Sequence, residues 1–317
     1  MTYSIVARDP SSGALGVAVQ SHFFGVGSLV TWARAGEGAV ATQSIVEPAY
    51  GPRALELMSA GMSAPQALKE LLSADAQEDA RQVAVIDSAG RVAVHTGPGC
   101  IAHAGHAVGD QVSAQANIMA RDTVPDAMLA AYSAADGDLA ERLLAALDAA
   151  EEQGGDLRGR QSAALVVVGA RASGMPGEDT LVDLRVEDHP EPLHELRRLA
   201  DLRRVYARVD KGDQLAAAGD ASGALREYAA AHRAQPDNPE LAFWHGVALA
   251  AEGHEDQAIP LLRQAFDAHP GWAELLERLP AAGLFPDDAS LIARLIGTAS
   301  GRRPRAFEST RAESLPE

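Results

Sequence analysis

The first apolar pattern along the chain is an alternation over residues 3–8. Tyr3, Ile5 and Ala7 fall on one face, and Ser4, Val6 and Arg8 on the other. Chain ends fray unless something ties them down. A strand that starts directly after Thr2 therefore pins that residue at a sheet end. The turn cluster DPSSG (9–13) and the run ALGVAVQS (14–21) predict the returning strand of a hairpin. GAVATQS (38–44) predicts a further strand. Residues 50–72 carry helical periodicity, broken at Gly61 and restarted by Ser63 as N-cap. QVAVIDSAGRVAVHTG (82–97) predicts a second hairpin turning over 87–90, and QVSAQAN (111–117) another strand. Residues 122–153 are helical with a break near Asp136 and Gly137. SAALVVVG (162–169) and TLVDLRVED (180–188) return to strand.

Hairpins grouped around pairs of helices argue for antiparallel sheets with helices packed outside, and against a parallel βαβ fold. The expected fold class is α+β, a four-layer αββα sandwich over residues 1–195. From about Leu193 the strand signals cease. Gly219, Ala224, Leu225, Tyr228, Ala231 and Pro236 recur as Gly253, Ala258, Ile259, Leu262, Ala265 and Pro270, each displaced by about 34 positions, the tetratricopeptide period. Residues 196–285 are therefore expected to be tetratricopeptide-like helical repeats, and 286–317 a short helical segment with a disordered tail.

Composition narrows the function classes. A net charge of −17 without a Lys/Arg stripe gives no phosphate-binding surface, so nucleic acid is not an expected partner. The single cysteine, Cys100, excludes an internal disulfide framework and fits a reducing compartment. No basic segment followed by an apolar core opens the chain, and no run of about 18 apolar residues occurs. A cytoplasmic protein with no membrane association is expected.

Thr2 carries the chemistry. Initiator methionine is normally removed before a small residue, which leaves Thr2 with its hydroxyl and a free α-amine on one Cα. An α-amine has a pKa of about 7.7–8.0, so part of it is neutral near pH 7 and accepts the hydroxyl proton. That is the threonine/N-terminal-amine form of an activated nucleophile.

The segments MTYSIVARDPSSGALGVAVQS, WARAGEGAVATQS, YGPRALELM, GGDLRGRQSAAL and DLRVEDHPEPLHELRRL together resemble the DUF1028 family. That family is similar to the N-terminal nucleophile (Ntn) hydrolases, whose fold is the αββα sandwich. The resemblance spans about residues 1–200. It implies hydrolysis of an amide or related C–N bond through an acyl-enzyme on Thr2, with only Met1 to be removed beforehand.

Acyl transfer needs donors aimed at the developing oxyanion. Asn117, at the end of QVSAQAN, either supplies an amide N–H for this or satisfies strand-end backbone; Gln115 shares its face. Thr42 and Gln43 close a strand expected beside the first and either line the pocket or start a turn. By alternation Ser4 shares a face with Arg8 and is a pocket candidate. In GGDLRGRQS, Asp156 either orients the Thr2 amine or pairs internally. Arg158 or Arg160 either binds a substrate carboxylate in bidentate fashion or stabilises the loop. His95, His103, His106 and Cys100 lack the tight paired spacing of structural zinc sites, so no metal and no cofactor is expected.

The expected activity is that of an Ntn-type amidohydrolase acting on a small amide, ureido compound or short peptide. The repeats offer a site for a protein partner, and homodimerisation is a further expectation. Two alternatives stand beside it: a non-catalytic scaffold working through the repeats, and an enzyme whose nucleophile is Ser21 or Ser162.

Overall fold

The computed structural model describes residues 2–300. Among the described residues, ten strands and twelve α-helices follow in chain order. They are β1 (Thr2–Arg8), β2 (Leu15–Ser21), α1 (Gly27–Val30), β3 (Thr31–Arg34), β4 (Gly38–Ser44), α2 (Tyr50–Ser59) and α3 (Ala64–Ser73). Next come β5 (Arg81–Asp87), β6 (Val92–Thr96), β7 (Gly105–Gly109), β8 (Val112–Asn117), α4 (Val124–Ala134) and α5 (Leu139–Glu152). After β9 (Ser162–Val168), α6 (Pro176–Asp179) and β10 (Thr180–Val186), only helices remain: α7 (Pro192–Ala217), α8 (Ala221–Ala234), α9 (Pro239–Ala251), α10 (Glu255–Ala268), α11 (Gly271–Arg278) and α12 (Ala289–Ala299). The chain divides into two compact units at Asp201/Leu202, within α7. No helix of the described residues is long and apolar enough to cross a membrane.

In the first unit the strands form two antiparallel sheets, ordered β10-β9-β2-β1-β8-β7 and β3-β4-β5-β6. Alternation along each strand divides its side chains between two cores. On β1, Tyr3, Ile5 and Ala7 enter a core with Leu143, Leu144 and Leu147 of α5 and Met128 of α4. Val6 joins Val17, Val19, Ala39, Ala41, Ala84 and Ile86 in a core between the two sheets. Val40, Val83 and Val85 pack on Leu55, Leu68 and Leu71 of α2 and α3. Ser63 caps α3 through a full capping box with Gln66, as the sequence predicts. Strands β3 and β7 were not legible as strands. β7 falls in a stretch for which the sequence predicts no strand, and it carries His106.

The second unit repeats its geometry every 34 residues. Gly219 and Gly253 both have φ +82°. Asp220 N donates to Leu215 O at 2.9 Å, and His254 N to Leu249 O at 2.9 Å. These are paired left-handed helix ends, a conformation that glycine adopts without a Cβ penalty. Gly212 and Gly246 extend the series. A Cβ on Gly212 would lie 2.6 Å from the Tyr228 ring, and one on Gly246 3.0 Å from Leu262, so both glycines let neighbouring helices approach closely. Phe243, with its ring 4.9 Å from that of Trp272, anchors a core shared by Leu262, Leu276, Leu291 and Leu295. The tail beyond residue 300 lies outside the described residues.

Candidate functional site

The face between the sheets is apolar at one end and polar at the other. On β2 the inward series runs Leu15, Val17, Val19, Ser21; on β9, Val168, Val166, Ala164, Ser162. On β4 it runs Ala39, Ala41, Gln43; on β5, Ile86, Ala84, Gln82. β1 ends in Ser4 and Thr2, β6 in Thr96, and β8 in Gln115 and Asn117. Thr2 stands in the middle, paired with Asn117 of β8. Its Oγ1 donates to Ser21 Oγ of β2 at 3.1 Å. It is 5% exposed.

Buried amides are costly unless bonded, and here they bond mainly to one another. Gln43 Nε2 donates to Thr2 O at 3.0 Å and to Gln82 Oε1 at 2.7 Å. Asn117 Nδ2 donates to the same Gln82 oxygen at 2.9 Å. Gln82 Nε2 reaches Ala116 O at 2.9 Å and Thr96 Oγ1 at 2.9 Å. Ser4 Oγ donates to Gln43 Oε1 at 2.6 Å, and Gln115 Nε2 to Ser4 Oγ at 3.2 Å. Gln82 is thus the hub, and the network clamps the two sheets together beneath Thr2. Two acceptors in it, Asn117 Oδ1 and Gln115 Oε1, are buried without a partner.

Beyond Thr2, the flanking strands continue into turns that converge on Asp156. Ile118, directly after Asn117, takes φ +57°, a strained value for a β-branched residue. Met119 then bridges to Asp156. Leu157 N donates to Ile118 O at 3.3 Å, and Ala120 N to Gly155 O at 3.0 Å. On the other side, His22 N, one residue past Ser21, donates to Asp156 Oδ2 at 3.0 Å. The segment around Asp156 therefore stands in line with β1, across the point where the chain enters the sheet at Thr2. Its carboxylate is fully buried and bonded by Arg158, whose Nη2 lies 3.1 Å away.

The model of DUF1028, a family of unknown function, matches residues 2–196. The chain belongs to the DUF1028 family. Protein SPO2555 from Silicibacter pomeroyi, a solved structure that carries the same family model, is 31% identical over 63% of this chain and 87% of that one, with a TM-score of 0.57. Anbu (ancestral beta-subunit) from Yersinia bercovieri aligns at 14% identity over 65% of this chain and 96% of that one, with a TM-score of 0.32. No curated protein matches the chain.

Within the DUF1028 unit, Thr2, Ser4, Gln43, Gln115 and Asn117 come together as one network, with Asp156 and Arg158 in the turn beyond the ends of β2 and β8. Thr42 does not join them. It follows Val40 onto the opposite face of β4, and its Oγ1 donates to Glu47 O at 3.3 Å. Arg160 does not join them either. It pairs with Glu151 and Glu191, and Glu151 also accepts from Tyr3 OH at 2.5 Å on the α5 side of the sheet. Burial, then the Glu151 charge, pushes the Tyr3 hydroxyl well above its ordinary pKa, so it is a fixed donor. Arg8 lies at the far end of β1, bonded to Gln111 Oε1 at 2.6 Å. His106 reaches the network's edge: its Nδ1 lies 2.9 Å from Thr96 Oγ1, and burial, with His95 nearby, lowers its pKa. Among the described residues no three His, Cys, Asp or Glu side chains gather as a metal-binding group.

Sequence reasoning missed Gln82, Ser21 as a Thr2 neighbour, and Thr96. The signal was present: each inward-facing apolar series ends in a polar residue at the same end of the sandwich.

Proposed function

We propose that the DUF1028 unit is an Ntn-type amidohydrolase built on a four-layer αββα sandwich, with Thr2 as nucleophile once Met1 is removed. The observation that carries the reading is the placement of Thr2, held between β2 and β8 at the polar end of the sheets, with the segment of buried Asp156 bonded to the chain beyond both strands. In this reading Thr2 Oγ attacks the amide carbonyl and its proton passes to the α-amine. The C–N bond then breaks, the leaving amine takes that proton, and an acyl ester remains on Thr2. Water, deprotonated by the same amine, releases the acid. Asp156 holds the amine in place. Asn117 Nδ2 gives one hydrogen to Gln82, and its second is the oxyanion donor. Ser4, Gln43 and Gln115 position these groups. Pre-set geometry of this kind is worth several kcal/mol of a barrier.

The test is kinetic. Thr2→Ala abolishes hydrolysis of small amides, and Thr2→Ser retains a measurable part. Activity that survives Thr2→Ala would move the nucleophile to another residue, with Ser21 the first to examine.

A second role falls to the helical unit, read as tetratricopeptide-like. Its 34-residue repetition and an apolar groove of about 660 Å³, lined by Leu225, Trp244 and Val247 among others, support a protein-binding function. Under the scaffold alternative this role stands alone.

A further inference from the structure

Five large apolar side chains of the first unit stand in solvent at the Thr2 end of the sandwich: Phe23, Phe24, Ile45, Ile101 and Leu157, between 49% and 68% exposed. They come from four separate loops, and each is tied to the site. Phe23 follows His22, whose N–H binds Asp156, and Leu157 follows Asp156 itself. Ile101 O accepts from Ile118 N at 2.9 Å, next to Asn117. Ile45 lies two residues beyond Gln43, and its carbonyl is fixed by Arg81 Nη1 at 2.6 Å. Exposed apolar side chains gathered from several loops mark a contact surface, whereas scattered ones need no explanation.

The side chains bonded around Thr2 are neutral, and the one carboxylate beyond them, Asp156, is paired with Arg158. Around Thr2 stand hydroxyls and amides: Ser4, Ser21, Gln43, Gln82, Gln115 and Asn117. Three nearby guanidinium groups are engaged by carboxylates, Arg158 by Asp156, Arg160 by Glu151 and Glu191, and Arg81 by Asp75. An anionic substrate group would have to displace a carboxylate to reach any of the three.

We propose that the rim binds the apolar acyl portion of an uncharged substrate, so that Thr2 acts on amides of aryl-alkyl or medium-chain alkyl acids in preference to short or carboxylate-bearing ones. This rests on the nucleophilic role of Thr2 proposed above. The four loops leave the strand ends that hold Thr2 and its polar neighbours, so what covers them lies beside the group that Thr2 attacks.

The experiment uses the full-length protein and four p-nitrophenyl esters: acetyl, hexanoyl, phenylacetyl and succinyl. In each, Thr2 Oγ forms the new ester bond, p-nitrophenolate leaves, and the hydroxyl proton passes to the α-amine. Nitrophenolate release gives the rate, and peptide mapping gives the acylated residue. The phenylacetyl and hexanoyl esters should acylate Thr2 about tenfold faster than acetyl, with succinyl slowest. Phe23→Ser with Leu157→Ser should lower the phenylacetyl-to-acetyl ratio about tenfold; both side chains are exposed, so the fold persists. Acylation of Thr2 at equal rates, or fastest with succinyl, would overturn the rim's role and leave the nucleophile standing. An unchanged ratio in the double variant, with a dimer that dissociates, would make the rim a self-association surface and overturn the inference. No acylation of Thr2 by any ester would remove both readings.

Discussion

Gln43 Nε2 donates to the main-chain oxygen of Thr2 at 3.0 Å, so the first residue of β1 is held by the opposite sheet. The same nitrogen donates to Gln82 Oε1, which also accepts from Asn117. Gln82→Leu would strip two buried amides of their acceptor, and Ala116 O and Thr96 Oγ1 of their donor. A loss of about 2–4 kcal/mol is expected in urea unfolding, more than removal of one partnered bond costs. A change below about 0.5 kcal/mol would mean that water replaces the hub.

Asp156→Asn keeps the shape of the buried side chain and removes its charge. In the proposed mechanism a carboxylate beside the α-amine favours the ammonium and raises its pKa. The variant should lose about 100-fold in kcat/KM, and the rising limb of its pH profile should move to lower pH than in the parent. A profile that does not move would place the Asp156 charge out of reach of the amine.

Acid should act on the two units over different ranges. Burial, then His232 and Arg233, lowers His245 to about 4. The unfolded chain binds a proton at about 6.5, so it gains protons over the folded state as pH falls. The second unit should therefore lose stability steadily between pH 6.5 and 4, and His245→Gln should flatten that slope. In the first unit, the Arg81 hydrogen bond holds Asp75 at about 2, so its contribution persists to about pH 4 and is lost between 4 and 2. Thermal midpoints of parent and variant across this range check both.

Gly219 and Gly253 share φ +82°, and a Cβ on either would meet nothing within 4 Å. Alanine there costs only the left-handed backbone, about 1 kcal/mol at each site. Equal losses in chemical unfolding are expected. Unequal losses would show that the two helix ends are not equivalent.

Much of the fold was legible because alternation and capping act locally. The strand over residues 38–44 and the restart at Ser63 emerge as read. β7 was obscured by its glycines and histidines; its pairing with β8 comes from tertiary contact, which no local pattern records. Thr2, Asn117 and Asp156 were visible as polar residues at element ends. Thr42 and Arg160 were adjacent in sequence to site residues, yet alternation turns Thr42 to the helix side and Glu151 draws Arg160 away. Gln82 opened a strand like any other polar residue, and only the facing sheet makes it a hub.

The most direct measurement of the central claim is intact-mass spectrometry of the native protein before and after treatment with an acylating β-lactone. The account predicts a mass lacking Met1 and a single adduct that maps to Thr2. A retained Met1 with no adduct would contradict it.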